Sequence, residues 1–277
     1  MRLGVCILPT ARWEIARERW RRAEALGLDH AWTYDHLTWR MFRDETWFGA
    51  IPTLTAAAGV TSRIRLGTLI ASPNFRHPVP FAKELMTVDD VSAGRLTLGL
   101  GAGTSDGFDA TALGQDAWSR RERADRFEEF VTLLDRLLTS RATTWEGRFY
   151  SADEARAIPG CVQQPRVPFA IAAEGPRGMK LAAEHADTWV TVDGRGAGAE
   201  QIERLEEVCV RSGRDPATLG RLVLLAFREK PLDSVEAYRD VAGRHAEMGF
   251  TDLVVQWPEE PFGGGEAVLE VVASEPR

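Results

Sequence analysis

The stretch Leu28-Asp-His-Ala-Trp-Thr-Tyr-Asp-His36 ends on a carboxylate followed directly by an imidazole. An imidazole titrates near neutrality, so His36 is a group that can steer a proton or steady a developing charge. Ala31, Thr33 and Asp35 alternate with the larger Trp32 and Tyr34, which predicts a strand over 28–36 ending in a loop at His36. In α/β folds the loops at the carboxyl ends of parallel strands converge on an accessible cleft, and titratable groups there do chemistry. Taken alone, the pair fits equally a carboxylate capping a turn beside a solvated histidine. The neighbouring loops must decide.

Trp39 and Arg40 follow this strand, and Trp39 suits the aromatic wall of a pocket. Ala71-Ser-Pro-Asn-Phe-Arg-His-Pro78 follows a third strand, and Gly99-Leu-Gly101-Ala-Gly103-Thr-Ser-Asp106-Gly107-Phe108 a fourth. The glycines form a loose GxGxG, but Asp106–Asp116 separates them from the next helix, unlike a dinucleotide fingerprint. Glu174-Gly175-Pro176-Arg177-Gly178 stands immediately ahead of a helix. There Gly175 permits close backbone approach, Pro176 suits a first turn, and helix N–H groups with the forked Arg177 could meet a phosphate. An ordinary turn has the same composition. His30, His185 and His245 read as structural, and His77, ahead of Pro78, is a weaker candidate for the cleft border. No HxH, HExxH or carboxylate cluster points to a metal, and no GxSxG supplies a serine-hydrolase elbow.

Placing these loops together requires alternating strands and helices. Strands are expected at Leu3–Leu8, 28–36, Ile64–Ala71, Leu96–Leu100, Phe169–Ala173, Thr188–Val192, Leu222–Phe227 and Leu253–Gln256. Helices are expected from Trp13 to a stop at Gly27, at Trp47–Ala58, Pro80–Val91 and Ser119–Leu138, then near 177–185, 199–212, 234–248 and Glu266–Ala273. Residues 139–166, with Gly147, Pro159, Gly160 and Pro165, break the rhythm. Eight βα units with short apolar strands predict an α/β fold, a single-domain (β/α)8 TIM barrel over 1–277 with an excursion between strands four and five. A doubly wound open sheet is the alternative.

The net charge of −7 gives no general attraction to nucleic acid or an anionic membrane. No apolar run approaches the ~20 residues of a membrane helix, and the N-terminus lacks a signal peptide's apolar core. Cys6, Cys161 and Cys209 are odd in number and form no CxxC, against a disulfide framework or thiolate metal site. The expectation is a soluble cytoplasmic protein acting on a small molecule.

Together these segments resemble the luciferase-like monooxygenase family of flavin and deazaflavin barrel enzymes. The resemblance covers nearly the whole chain. It is carried by Trp32-Thr-Tyr-Asp-His36, Ile64-Arg-Leu-Gly-Thr68 with Arg76-His-Pro78, Ala93-Gly-Arg-Leu-Thr-Leu-Gly-Leu-Gly-Ala-Gly103, and Gly175-Pro-Arg177 with Leu181-Ala-Ala-Glu-His-Ala-Asp-Thr-Trp189. It implies an oxidoreductase holding an isoalloxazine-type ring at the barrel mouth, with a non-proline cis peptide at Leu69–Ile70. The Asp-His ending with Trp39 after it resembles the branch using the deazaflavin coenzyme F420; the FMN branch more often shows Glu-His-His there. The resemblance makes His36 and Trp39 catalytic positions, with His36 beside the redox carbon and Asp35 helping to bind the deazaflavin. It assigns Leu69, Ile70, Ser72, Ala102 and Thr104 to the ring and tail, and Glu174, Gly175, Pro176 and Arg177 to a phosphate loop. Sugar-phosphate dehydrogenases of the family carry a catalytic glutamate directly after the strand-four Gly-x-Gly. Here that residue is Thr104, with Asp106 out of register. The implied activity is F420-dependent hydride transfer to or from a small organic substrate. An FMN-dependent monooxygenase using oxygen and a non-catalytic flavin-binding barrel stay open, and a homodimer is implied by resemblance alone.

Overall fold

The computed structural model describes residues 1–39, 42–104, 108–194, 198–226, 228–259, 263 and 265–275. Its strands are β1 (Arg2–Cys6), β2 (His30–Thr33), β3 (Arg65–Ala71), β4 (Leu96–Leu100), β5 (Ala142–Glu146), β6 (Ser151–Arg156), β7 (Phe169–Ala172), β8 (Thr188–Val192), β9 (Gly220–Leu225) and β10 (Asp252–Gln256). Eight of them close into a parallel barrel in the order β1-β10-β9-β8-β7-β4-β3-β2, and β5 with β6 forms a separate antiparallel pair. Closure leaves the barrel no open edge, which excludes the open-sheet alternative. The helices are α1 (Trp13–Ala25), α2 (Ala50–Ala58), α3 (Pro78–Val91), α4 (Phe108–Ala112), α5 (Arg120–Thr139), α6 (Pro176–His185), α7 (Ala199–Arg211), α8 (Val235–Glu247) and α9 (Glu266–Ser274). Among the described residues no helix is long and apolar enough to cross a membrane.

Strand alternation divides the core in two. Outward residues such as Leu3, Leu66, Phe169 and Trp189 pack against helix residues including Trp20, Leu85 and Phe130. Inward residues, among them Cys6, Trp32, Tyr34, Val190, Leu224 and Val254, fill the barrel itself. Large side chains there lie over glycines of the adjacent strand. A Cβ at Gly67 would come 2.4 Å from the Trp32 ring, and one at Gly4 would come 1.8 Å from His30.

The barrel floor is a closed hydrogen-bonded plug. Trp32 Nε1 donates to His30 Nδ1 at 2.7 Å, which leaves His30 Nε2 to donate to Asp252 Oδ1 at 3.0 Å. Arg2 completes the chain, its Nε 2.7 Å from Asp252 Oδ1. Burial pushes the Asp252 carboxyl up, but the bonds from His30 and Arg2 outweigh it and hold it at about 2. Nearby, Arg95 donates to the carbonyls of Ala58, Thr61, Ile64 and Ser92, tying the approaches to β3 and β4. Glu24 accepts the N–H groups of Ser62, Arg63 and Ile64, which outweigh its partial burial and hold its carboxyl at about 2.

Several boundaries differ from the sequence expectation. β2 is only His30–Thr33, so Tyr34, Asp35 and His36 already belong to the mouth loop. α2 starts at Ala50 behind Gly49, and Trp47 lies in the loop, where its indole is engaged elsewhere. β9 is displaced toward Gly220, and Phe227 lies outside the described residues. The five-residue α4 has no helical period long enough to read from sequence. The 139–166 excursion contains the β5–β6 hairpin, fastened at two points. Glu129 accepts the N–H groups of Arg148, Phe149 and Tyr150, and the buried Asp89 accepts those of Val162 and Gln163.

Candidate active site at the barrel mouth

The carboxyl ends of the strands surround a cavity of about 700 Å³. His36, Trp39, Leu69, Ile70, Ser72, Ala102, Thr104 and Glu174 all line it, together with Tyr34, Val190, Val192, Leu224, Arg120 and Arg123. It opens past Ala102, Arg123 and Glu174 into an outer cleft of about 650 Å³, on which Gly175, Pro176 and Arg177 lie. Asp35 lines neither space. Its buried carboxylate forms a two-pronged pair with Arg76, at 2.6 Å from Nε and 2.7 Å from Nη2, so it pins the loop after β3 to the end of β2. His77 also lies off the cavity: its Nδ1 accepts from Val79 N at the start of α3, and its ring meets Tyr150 edge-on. Arg40 and Asp106 lie outside the described residues.

His36 is held by a residue the sequence reading did not single out. Its Nδ1 is 2.8 Å from Oδ2 of Asp109, a fully buried carboxylate at the start of α4. The other oxygen, Oδ1, accepts the Leu37 N–H at 2.7 Å. A carboxylate only accepts, so the proton sits on Nδ1, and Nε2 is the ring atom left for the cavity. The pair spans 73 residues of sequence, joining the loop after β2 to the loop after β4.

An aromatic wall stands beside it. Trp39 stacks on Phe42 at 5.7 Å and on Trp47 at 6.2 Å, and meets Tyr34 edge-on at 5.0 Å. Trp47 Nε1 donates to the His36 carbonyl at 2.8 Å, so the wall also fixes the backbone of the imidazole. Gln256 Nε2 donates to the Tyr34 hydroxyl at 2.9 Å from across β10.

The Leu69–Ile70 peptide is cis, and pairing with β4 shifts register between Thr68 and Ala71. Leu69 and Ile70 both line the cavity. The strand-four glycines make room for this irregularity. A Cβ at Gly101 would lie 1.9 Å from Ile70 Cδ1, and one at Gly103 would lie 2.2 Å from Asn74 Nδ2. Thr104, the next residue, has a buried hydroxyl with no hydrogen-bond partner.

The outer cleft is rich in donors. α6 begins behind Gly175 with no side-chain cap, so its first N–H groups have no side-chain acceptor. Arg120, Arg121 and Arg123 line the cleft from α5. Arg123 donates from Nη1 to the Gly103 carbonyl at 2.7 Å, while its buried Nε has no partner. Arg177 is paired with Asp125 at 2.7 Å and Glu128 at 2.6 Å, and those carboxylates, Glu128 foremost, raise its pKa. The signal for the α5 arginines was present in the sequence: Ser119 and Glu122 form a capping box, which fixes where the helix begins and which face 120 and 123 share. Among the described residues no cluster of His, Cys, Asp or Glu could hold a metal ion.

Residues 1–259 match the family model for luciferase-like monooxygenases. The chain is 32% identical over 225 residues to an F420-dependent glucose-6-phosphate dehydrogenase of Kineococcus radiotolerans, across 79% of this chain and 65% of that protein. The chain thus spans slightly under two thirds of that relative's length. Among solved structures, it is similar to an F420-dependent secondary alcohol dehydrogenase in complex with an F420-acetone adduct, with TM-score 0.83, 20% identity and coverage of 98% and 97%. It is also similar to the coenzyme F420-dependent tetrahydromethanopterin reductase of Methanopyrus kandleri, with TM-score 0.80, 20% identity and coverage of 99% and 97%. At these identities the two structures bear on the fold alone.

Proposed function

Because the chain belongs to the luciferase-like monooxygenase family, we propose that it is an oxidoreductase transferring hydride between coenzyme F420 and a small organic substrate. The observation that carries this reading is the His36–Asp109 pair on the wall of the mouth cavity, with Nδ1 engaged by the carboxylate, which leaves Nε2 as the ring's proton acceptor. The residues present fit a deazaflavin carrying an anionic tail. The cavity offers apolar faces at Leu69, Ile70 and Ala172 and an unpartnered hydroxyl at Thr104, and the adjoining cleft offers an uncapped helix start and, beside the paired Arg177, three arginines from α5.

When bound, the deazaflavin supplies a ring carbon that accepts or returns a hydride. The protein's part is proton handling and exclusion of water. His36 Nε2 takes the proton from a substrate hydroxyl on oxidation, and returns it on reduction. Asp109 keeps the ring in one tautomer and balances the imidazolium that forms. Trp39 and Tyr34 cover one side of the cavity and keep water from the reacting atoms. Ser72 and Thr104 line the cavity and would meet ring heteroatoms, and the first N–H groups of α6 behind Gly175 and Pro176, with the α5 arginines, would meet the tail phosphate. Asp35 acts from behind, by holding Arg76 and the loop after β3 in place.

Titration of the purified protein with F420 and with FMN, followed by tryptophan fluorescence, tests the reading. Tight binding of F420 and weak binding of FMN is the expected result. Preference for FMN, with oxygen consumed in the presence of reduced FMN, overturns it in favour of a monooxygenase.

A further inference from the structure

We propose that the floor of the barrel, at the end opposite the mouth, binds a small inorganic oxyanion such as phosphate or sulfate between Arg65 and Arg2. Arg65 opens β3 and Arg2 opens β1. The ladders bring them together around His30. Arg65 is the register partner of His30, whose ring bonds Asp252, and Asp252 in turn holds Arg2.

The two guanidinium groups are matched differently. Arg2 grips Asp252 with two prongs, from Nε at 2.7 Å and from Nη2 at 2.8 Å. Arg65 is held by neutral oxygens. Its Nε donates to Thr97 Oγ1 at 3.1 Å, and its Nη2 donates to the Leu96 carbonyl at 2.8 Å and to Thr97 Oγ1 and Gln163 Oε1 at 2.9 Å. Among the described residues no carboxylate is paired with it. Burial, and after it the like charge of Arg2, lower the Arg65 pKa, and Asp89 and Asp187 act on it only as unbonded charges. The oxygens of Asp89 are taken up by the N–H groups of Val162 and Gln163 and by the Gln163 amide. His30 brings no charge, because its Nδ1 accepts the Trp32 N–H.

A guanidinium stays charged in a protein, and a partly buried charge without a counter-ion is costly. Arg95 shows what full use of neutral acceptors looks like, with all three of its nitrogens donating. Arg65 uses two. Its Nη1, and the Nη1 of the exposed Arg2, lie outside the bonds named above, so each still has N–H groups to give to an oxyanion. Asp252 and Asp29 already act on Arg2, which leaves Arg65 as the unmatched cation. One small oxyanion, held at millimolar concentration, fits that charge.

Thermal melts of the full chain test this, with sodium phosphate or sodium sulfate replacing sodium chloride at constant ionic strength. A saturable rise in Tm of about 2–4 °C by about 50 mM of either oxyanion is expected. Arg65→Gln is expected to abolish the rise, whereas the double variant Arg120→Gln/Arg123→Gln at the mouth keeps it, which separates the floor from the outer cleft. Should Arg65→Gln not fold, wild-type crystals soaked in selenate give the answer by anomalous scattering. A selenium peak within hydrogen-bond reach of both guanidinium groups is then expected. No rise beyond that in chloride, a rise that persists in Arg65→Gln or vanishes in the mouth variant, or the absence of a selenium peak at the floor overturns the proposal.

Discussion

The floor of the barrel and its mouth treat polar groups in opposite ways. At the floor His30, Asp252, Arg2, Arg95 and Glu24 all find partners within the chain. At the mouth the Thr104 hydroxyl and the Arg123 Nε are buried without a partner, and α6 starts without a side-chain cap. A buried polar group left unpaired costs about 1–3 kcal/mol. The floor therefore adds to stability, whereas the mouth gives some up and recovers it when something binds. The same eight strands support both, because titratable groups sit at both ends and only one end is plugged.

Four substitutions or conditions break or sharpen this division. His36→Ala is expected to lower turnover about 10²–10⁴-fold with the fold and F420 affinity retained, as steady-state kinetics beside fluorescence titration will register. Loss of thermal stability in that variant would move His36 into the scaffold. Asp252→Ala should do the reverse. It strands His30 and Arg2, and denaturant unfolding is expected to show a loss of about 3–5 kcal/mol with little change in kcat for the folded fraction.

Asp109→Asn stands between the two, because it supports the mouth from a buried position. A fall in kcat of about 10–100-fold with KM nearly constant is expected, the size seen where an outer partner orients a functional histidine. An equal fall in stability and no change in kcat would assign it to the floor's kind of chemistry. The smallest effect concerns acid. Asp252 and Glu24 ionise at about 2 in the folded chain, below their ordinary values near 4, so their contribution is complete above pH ~4 and drains away as pH falls toward 2. Glu24→Gln should flatten this slope in thermal melts between pH 4 and 2, at a cost of about 1 kcal/mol because the group is partly solvated.

Much of the barrel was legible because it is encoded locally. Short apolar runs such as Leu96–Leu100 and Leu253–Gln256 have no alternative to a strand buried on both faces, and the amphipathic stretches between them fix the alternation. Most of the cavity wall was legible too, since it follows from which residues end the strands. Long-range pairing was not. Asp35 and Arg76 were both visible in motifs, yet nothing in their spacing shows that they hold each other across 41 residues. Asp109 gave no signal at all: it lies on a helix too short for a period, and its meaning depends on His36. The apolar neighbours of Trp47 favour a helix, yet Gly49 caps the start of α2 two residues later and leaves Trp47 in the loop.

The hairpin between α5 and β7 has a use outside the reaction. It is fastened by Glu129 near its tip and by Asp89 beyond its second strand, and neither anchor lines the mouth cavity. Exposed positions of its second strand such as Ser151 and Asp153 are thus expected to accept other side chains while the barrel keeps its own geometry, whereas Tyr150, Ala157 and Cys161 on the same segment belong to the core.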